Sequence, residues 1–100
     1  MTVPEHPRHR LADSLTHPVR FSIVAGLAAA ESLDFKDLKE AVQVNDSTLS
    51  KQISILEAAG FVEVRKSFVG KLPRTSLKLS PGGRKAWAVH LEALREIAGQ

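Results

Sequence analysis

Apolar residues recur along this chain with two different periods, and the change of period divides it into elements. From Pro18, a residue tolerated at the first position of a helix, small or apolar side chains fall at Val19, Ile23, Gly26, Leu27 and Ala30. That is the i, i+4, i+7, i+8 spacing of one helical face, and it predicts a helix ending near Ala30. Upstream, Pro4 and Pro7 leave residues 11–15 as at most a short helical stretch, with Leu11 and Leu15 one turn apart. Asp34 stands at a helix-start position before a shorter pattern that lines up Phe35, Leu38 and Val42, with Asp37 three residues on. Val44 and Asn45 interrupt that pattern. A further helix is predicted over about residues 46–59, closed by Gly60 where a left-handed C-terminal cap favours glycine. Leu49, Ile53 and Leu56 share its core-facing side; Ser47, Ser50, Lys51, Ser54 and Ala58 share the opposite one, and Ile55 falls between.

The period then drops to two. Over residues 61–69, Phe61, Glu63 and Arg65 alternate with Val62, Val64 and Lys66; residues 70–74 are turn-like; residues 75–79 alternate again, Leu77 and Leu79 against Ser76 and Lys78. A β-hairpin with a basic tip is expected. Ser80 and Pro81 then give the N-cap and first-position signals of a last helix. Along it Trp87, Leu91, Leu94 and Ala98 form one stripe, with Ala86, Val89, Ala93 and Ile97 beside it.

Composition narrows the class. One hundred residues with 43% apolar and 25% charged side chains suit a single globular domain with one core. The absence of Cys removes disulfides, thiol chemistry and thiolate zinc sites, and fits a reducing compartment, with the cytoplasm as the expected location. The longest small-and-apolar run, residues 21–30, is about half of what a membrane-spanning helix needs. Residues 1–10 carry prolines, Arg8, Arg10 and no apolar stretch; they read as a flexible basic arm rather than a secretory signal, ahead of a domain over residues 11–100. The formal charge of +3 hides an uneven distribution. Residues 1–60 hold six basic and eight acidic side chains, whereas residues 61–85 hold seven basic ones against Glu63 alone. A patch of this kind is the footprint of a polyanion-binding surface; it is equally what a solvated hairpin with scattered cations would show.

The order of elements is helix, short helix, turn, helix, hairpin, helix, and four segments carry a specific likeness. These are His17-Pro18-Val19-Arg20; Ser47-Thr48-Leu49-Ser50-Lys51-Gln52-Ile53 with Leu56-Glu57-Ala58-Ala59-Gly60-Phe61-Val62; Gly70-Lys71-Leu72-Pro73-Arg74-Thr75; and Leu79-Ser80-Pro81-Gly82-Gly83-Arg84. Over residues 17–98 the chain resembles the winged helix-turn-helix DNA-binding transcriptional regulators related to the MarR and ArsR groups, closest to their short single-domain members. The resemblance implies a mainly α fold with a small β-hairpin: a three-helix core, a β wing and a C-terminal helix. It also implies that Ser47, Thr48, Ser50, Lys51 and Ser54 lie where the family contacts DNA. A major groove about 12 Å wide admits such a helix, and short hydroxyl side chains let its backbone come close. Arg65, Lys66, Lys71 and Arg74 would flank the wing, contacting phosphates or, for Arg74, reaching into the minor groove. Arg84 and Lys85 oppose the dipole of the last helix, so an anionic partner would suit them.

Two apolar stripes on the last helix exceed what its own hairpin can cover, and the related families dimerise through terminal helices. A homodimer is therefore expected through Leu11, Leu15, Trp87, Leu91, Leu94 and Ile97, with its two recognition helices about 34 Å apart. No metal or cofactor is expected: the relatives of ArsR type that sense metals use Cys or His clusters, whereas His6, His9, His17 and His90 form no ligand set here, and His90 reads as a surface residue. Whether a small effector binds stays open. No phosphate loop, HExxH or nucleophile elbow points to an enzyme. The competing reading keeps the fold but docks the basic hairpin on an acidic protein partner.

Overall fold

The computed structural model describes residues 5–99. Its elements are α1 (Pro18–Ala28), β1 (Leu33–Asp34), α2 (Phe35–Val42), α3 (Asp46–Ala58), β2 (Val62–Val69), β3 (Leu72–Leu79) and α4 (Pro81–Ile97), preceded by two 3-10 turns at Pro7–Arg10 and Asp13–Leu15. The winged helix-turn-helix arrangement is thus the one expected: three helices, a hairpin and a final helix. None of the helices is long and apolar enough to cross a membrane among the described residues.

Local chemistry sets most boundaries. His17 caps α1 through Nδ1, which accepts from the Val19 N–H at 3.1 Å, and Pro18 follows as the first helical residue. Asn45 caps α3 in the same way, its Oδ1 accepting from the Thr48 N–H at 2.8 Å. Gly60, at φ 82°, ends α3 in the left-handed conformation. Ser80 caps α4 by accepting from the Gly83 N–H at 2.9 Å and donates its own proton to the Gly60 carbonyl at 2.6 Å. The last of these bonds ties the start of α4 to the end of α3. Gly83 is required there, because a Cβ would sit 2.1 Å from the Phe61 carbonyl oxygen.

The core is continuous from α1 to the base of the hairpin. Ile23, Val24 and Leu27 of α1, Leu38 of α2, Leu49, Ile53 and Leu56 of α3, and Val62, Leu77 and Leu79 of the sheet are all buried in it. The sheet is antiparallel in the order β1-β3-β2, and among the described residues only Leu33 and Asp34 extend it beyond the hairpin, opposite Leu77 and Ser76.

Several sequence expectations are corrected. The first helix stops at Ala28 rather than near Ala30. The two-residue β1 was not foreseen, and Asp34 makes no side-chain cap for α2. Leu72, Pro73 and Arg74, expected in a loop, belong to β3, because Gly70 and Lys71 alone make the turn and Val69 pairs directly with Leu72. Pro73 is tolerated there: with a two-residue turn the Phe68–Pro73 pair is not hydrogen-bonded, so the imino nitrogen faces the side that β1 leaves open.

The amino-terminal reading changes as well. Met1 to Pro4 lie outside the described residues, but residues 7–10 form a 3-10 turn packed along α4, with Arg10 ion-paired to Glu96, and are no loose arm. The expected short helix over residues 11–15 is a single 3-10 turn, Asp13–Leu15. His90 is not a surface residue: it is 2% exposed, and its Nδ1 accepts from the Ala12 N–H at 3.0 Å. Burial holds its pKa below the ordinary histidine value by disfavouring the charged imidazole.

Candidate nucleic-acid interface

The helix-turn-helix is built by α2 and α3 with Gln43, Val44 and Asn45 between them. Gln43 takes a left-handed conformation at φ 61° and ends α2. An ion pair from Lys39 to Asp46, 2.6 Å, spans the turn from α2 to the first residue of α3. With Leu49, Gln52, Ile53 and Leu56 buried, α3 has one rotational setting that satisfies its core face. That setting exposes Ser47, Ser50, Lys51 and Ser54 and leaves Thr48 half-buried. Four of the five residues named from sequence therefore share one outward surface, with no carboxylate at its centre, and Thr48 lies at its edge. Ser54 spends its hydroxyl proton on the Ser50 carbonyl, 3.0 Å away, which leaves its lone pairs to accept from a ligand.

The hairpin rises beside this helix. A cleft of about 380 Å³ separates them, lined on one side by Ser50, Ile53, Ser54 and Glu57 and on the other by Val64, Lys66, Thr75 and Leu77. Register fixes which wing side chains face it. Lys66 pairs with Thr75 on the face shared with Val64 and Leu77, whereas Arg65, opposite Ser76, and Arg74, opposite Ser67, stand on the other face. Lys71 lies in the turn. The four wing cations named from sequence are therefore divided: one toward α3, one at the tip, two behind.

Their electrostatic state also differs. The Arg74 Nε donates to the Asp34 carboxylate at 2.9 Å, and Lys78 lies 3.5 Å from Glu63. Among the described residues Lys51, Arg65, Lys66 and Lys71 make no ion pair. Arg84 donates to the Ala30 carbonyl at 3.1 Å, which gives it a structural partner at the start of α4. The tip itself is less basic than the sequence pattern implies: Phe68, Val69 and Leu72 are 74%, 58% and 71% exposed around Lys71.

The residues expected in a dimer contact divide too. Leu15 is 2% exposed and packs in the core, at the floor of the groove that Leu11 and Leu94 line. Trp87 packs on Phe21 with ring centroids 4.9 Å apart. Leu11, Leu91 and Leu94 are half-buried, and Ile97 is exposed. Leu11 and Leu94 line an apolar groove of about 410 Å³ with His17, Phe21 and His90. The Arg20 contact to Gln52, absent from the sequence reading, carries no sequence signal beyond two polar residues 32 positions apart.

Known proteins share this arrangement. The model of the winged helix DNA-binding domain matches residues 19–98. An uncharacterized protein of Methanocaldococcus jannaschii is 31% identical over 80 residues, which cover 80% of this chain and 87% of that protein. The structure of a transcriptional regulator homologue from Pyrococcus horikoshii superposes with a TM-score of 0.87 at 22% identity, covering 96% of both chains. The transcriptional repressor BigR from Xylella fastidiosa gives a TM-score of 0.70 at 27% identity, over 90% of this chain and 84% of that one. With the matched model spanning the three core helices, the wing and α4, the chain belongs to the winged helix DNA-binding domain family.

Proposed function

We propose that the chain is a cytoplasmic, homodimeric, sequence-specific regulator that lays α3 in the major groove of duplex DNA and its wing on the backbone or in the minor groove. One observation carries this reading. The face of α3 with Ser47, Ser50, Lys51 and Ser54 is exposed, while its opposite face is locked into the core beside a hairpin whose Lys66 and Lys71 lack ion-pair partners among the described residues. Lys51 can reach a guanine edge, the hydroxyls admit close approach of the helix, and Lys66 and Lys71 supply phosphate contacts. Dimerisation is assigned to α4 and the segment before α1, through Leu11, Trp87, Leu91, Leu94 and Ile97. A twofold pair would set the two recognition helices one DNA turn apart, about 34 Å.

The test is a mobility-shift selection on random duplex DNA, repeated across a salt series, with sedimentation of the free protein. A selected sequence, a steep salt slope and a dimer at tens of micromolar are expected. Lys51→Ala should relax the selected sequence, while Lys71→Ala should weaken every duplex and flatten the slope by about one unit. Failure to retain any duplex at low salt would sink the reading and favour an acidic protein partner.

A further inference from the structure

Three apolar side chains, Leu49, Ile53 and Leu56, seat α3 in the core, and one polar side chain joins them. Gln52 is 7% exposed, and its Oε1 accepts from Nη1 of Arg20 at 2.8 Å. The same guanidinium donates from Nε to the Ser14 carbonyl at 2.7 Å. Ser14 belongs to the Asp13–Leu15 turn, pinned on one side by buried Leu15 and on the other by the bond from Ala12 to His90 of α4. Apart from the exposed Lys39–Asp46 pair at its first residue, no other side-chain polar contact joins α3 to another helix among the described residues.

The kinds of contact differ in what they resist. Burial of leucine and isoleucine is non-directional, so it opposes separation of α3 from the core more than rotation about its own axis. A hydrogen bond from a planar guanidinium is directional, and it weakens steeply when bent. For a helix about 10–12 Å across with its side chains, a rotation of roughly 20° moves the outer surface by about 2 Å. That is enough to lose a hydrogen bond to a base edge. Gln52 directly follows Lys51, so whatever holds Gln52 sets where Ser50, Lys51 and Ser54 point.

We infer that Arg20 is the positioning residue of the recognition helix: by gripping Gln52 it fixes the rotational setting of the base-reading face, and it references that setting to the Asp13–Leu15 turn. The inference rests on the duplex-DNA reading. Arg20 is half-buried beneath α3 and touches no DNA in this scheme; its effect passes through Gln52.

A purely structural role and a positioning role separate in a pair of variants of the full chain. Arg20→Met keeps the apolar stem but leaves Gln52 without its donor, so both thermal stability and discrimination should fall. Adding Gln52→Met replaces the polar contact by an apolar one of similar volume and should restore the melting temperature toward wild type. If Arg20 positions α3, the double variant should still discriminate the selected duplex from a scrambled one about tenfold less than wild type. Its affinity for the scrambled duplex and its salt slope should stay at wild-type values, since no phosphate contact has been removed. A double variant that regains wild-type discrimination along with its melting temperature would show the contact to be structural only and overturn the inference. So would an Arg20→Met chain that discriminates as well as wild type. A wild-type chain that bound all duplexes alike would overturn the regulator reading itself, and this inference with it.

Discussion

The recognition helix and the wing lie side by side yet are held by opposite means. Four side chains of α3 are buried, and its N-terminus is capped by Asn45. The hairpin is anchored only at its base, where Val62, Leu77 and Leu79 enter the core; from Arg65 to the tip and back to Arg74, no side chain is buried. Rigid placement suits reading base edges, which demands angular accuracy. A projecting ribbon with cations on both faces suits contact with a backbone whose charge is everywhere the same. Under the proposed function, the contrast would give specificity to the helix and affinity to the wing.

The largest effect expected from breaking this contrast lies in the core. Leu56→Ala should cost about 2–5 kcal/mol in urea denaturation, whereas Leu72→Ala at the wing tip should stay within about 0.5 kcal/mol. Comparable losses at the two sites would mean that the wing tip is packed, not projecting. Next comes the joint between the two regions. Gly83→Ala drives a methyl group into the Phe61 carbonyl and should destabilise by about 1–3 kcal/mol, the usual range for overpacking, measured by the same denaturation.

A smaller effect concerns the wing's charge. Asp34→Asn removes the partner of Arg74. If that arginine can swing to a phosphate, all duplexes should bind more tightly and the salt slope should steepen by about one unit, while stability changes by less than about 1 kcal/mol. An unchanged slope would confine Arg74 to a structural role. The smallest effect is on pH dependence. His90 has a lowered pKa when folded, so above pH 6.5, its ordinary pKa, it is neutral in both states and contributes no pH dependence. As pH falls through 6.5, the unfolded chain gains the proton first and stability declines, until the folded pKa is passed and the decline ends. His90→Gln should flatten thermal stability against pH over that window; a decline as steep as wild type would place its source elsewhere.

Elements whose signal is local were legible in the sequence. Asn45, Gly60, Ser80 and the buried Leu49-Ile53-Leu56 stripe mark α3 and α4 without help from the rest of the chain. What escaped depends on distant partners. β1 is two residues long, too short to alternate, and exists only because β3 lies beside it. Asp34 stands where a helix cap belongs, but its carboxylate meets Arg74, 40 positions away. His90, with Glu92 and Arg95 nearby, looked like a surface residue, but the segment before α1 folds over it, with Ala12 78 positions distant. The burial of Leu15 escaped for the same reason. The Gly70 to Arg74 stretch misled in the other direction, since Pro73 usually marks a loop and here occupies a strand position with no neighbour to disappoint. For the candidate site, residue types and the exposed face of α3 were readable in advance, but the division of the wing cations between two faces needed the register.

That register makes the wing a ruler. Five residue pairs lie beyond the last core pair, Val64 with Leu77, and the turn that closes them uses only Gly70 and Lys71. At roughly 3.3 Å per residue the tip stands about 17 Å from its anchor. Lengthening each strand by two residues would keep every side chain on its present face and carry Lys71 about 7 Å further, close to two base-pair steps. Under the proposed function, hairpin length would thus set the spacing between the two contacts on a duplex, and it could be retuned without altering a single residue of the recognition helix.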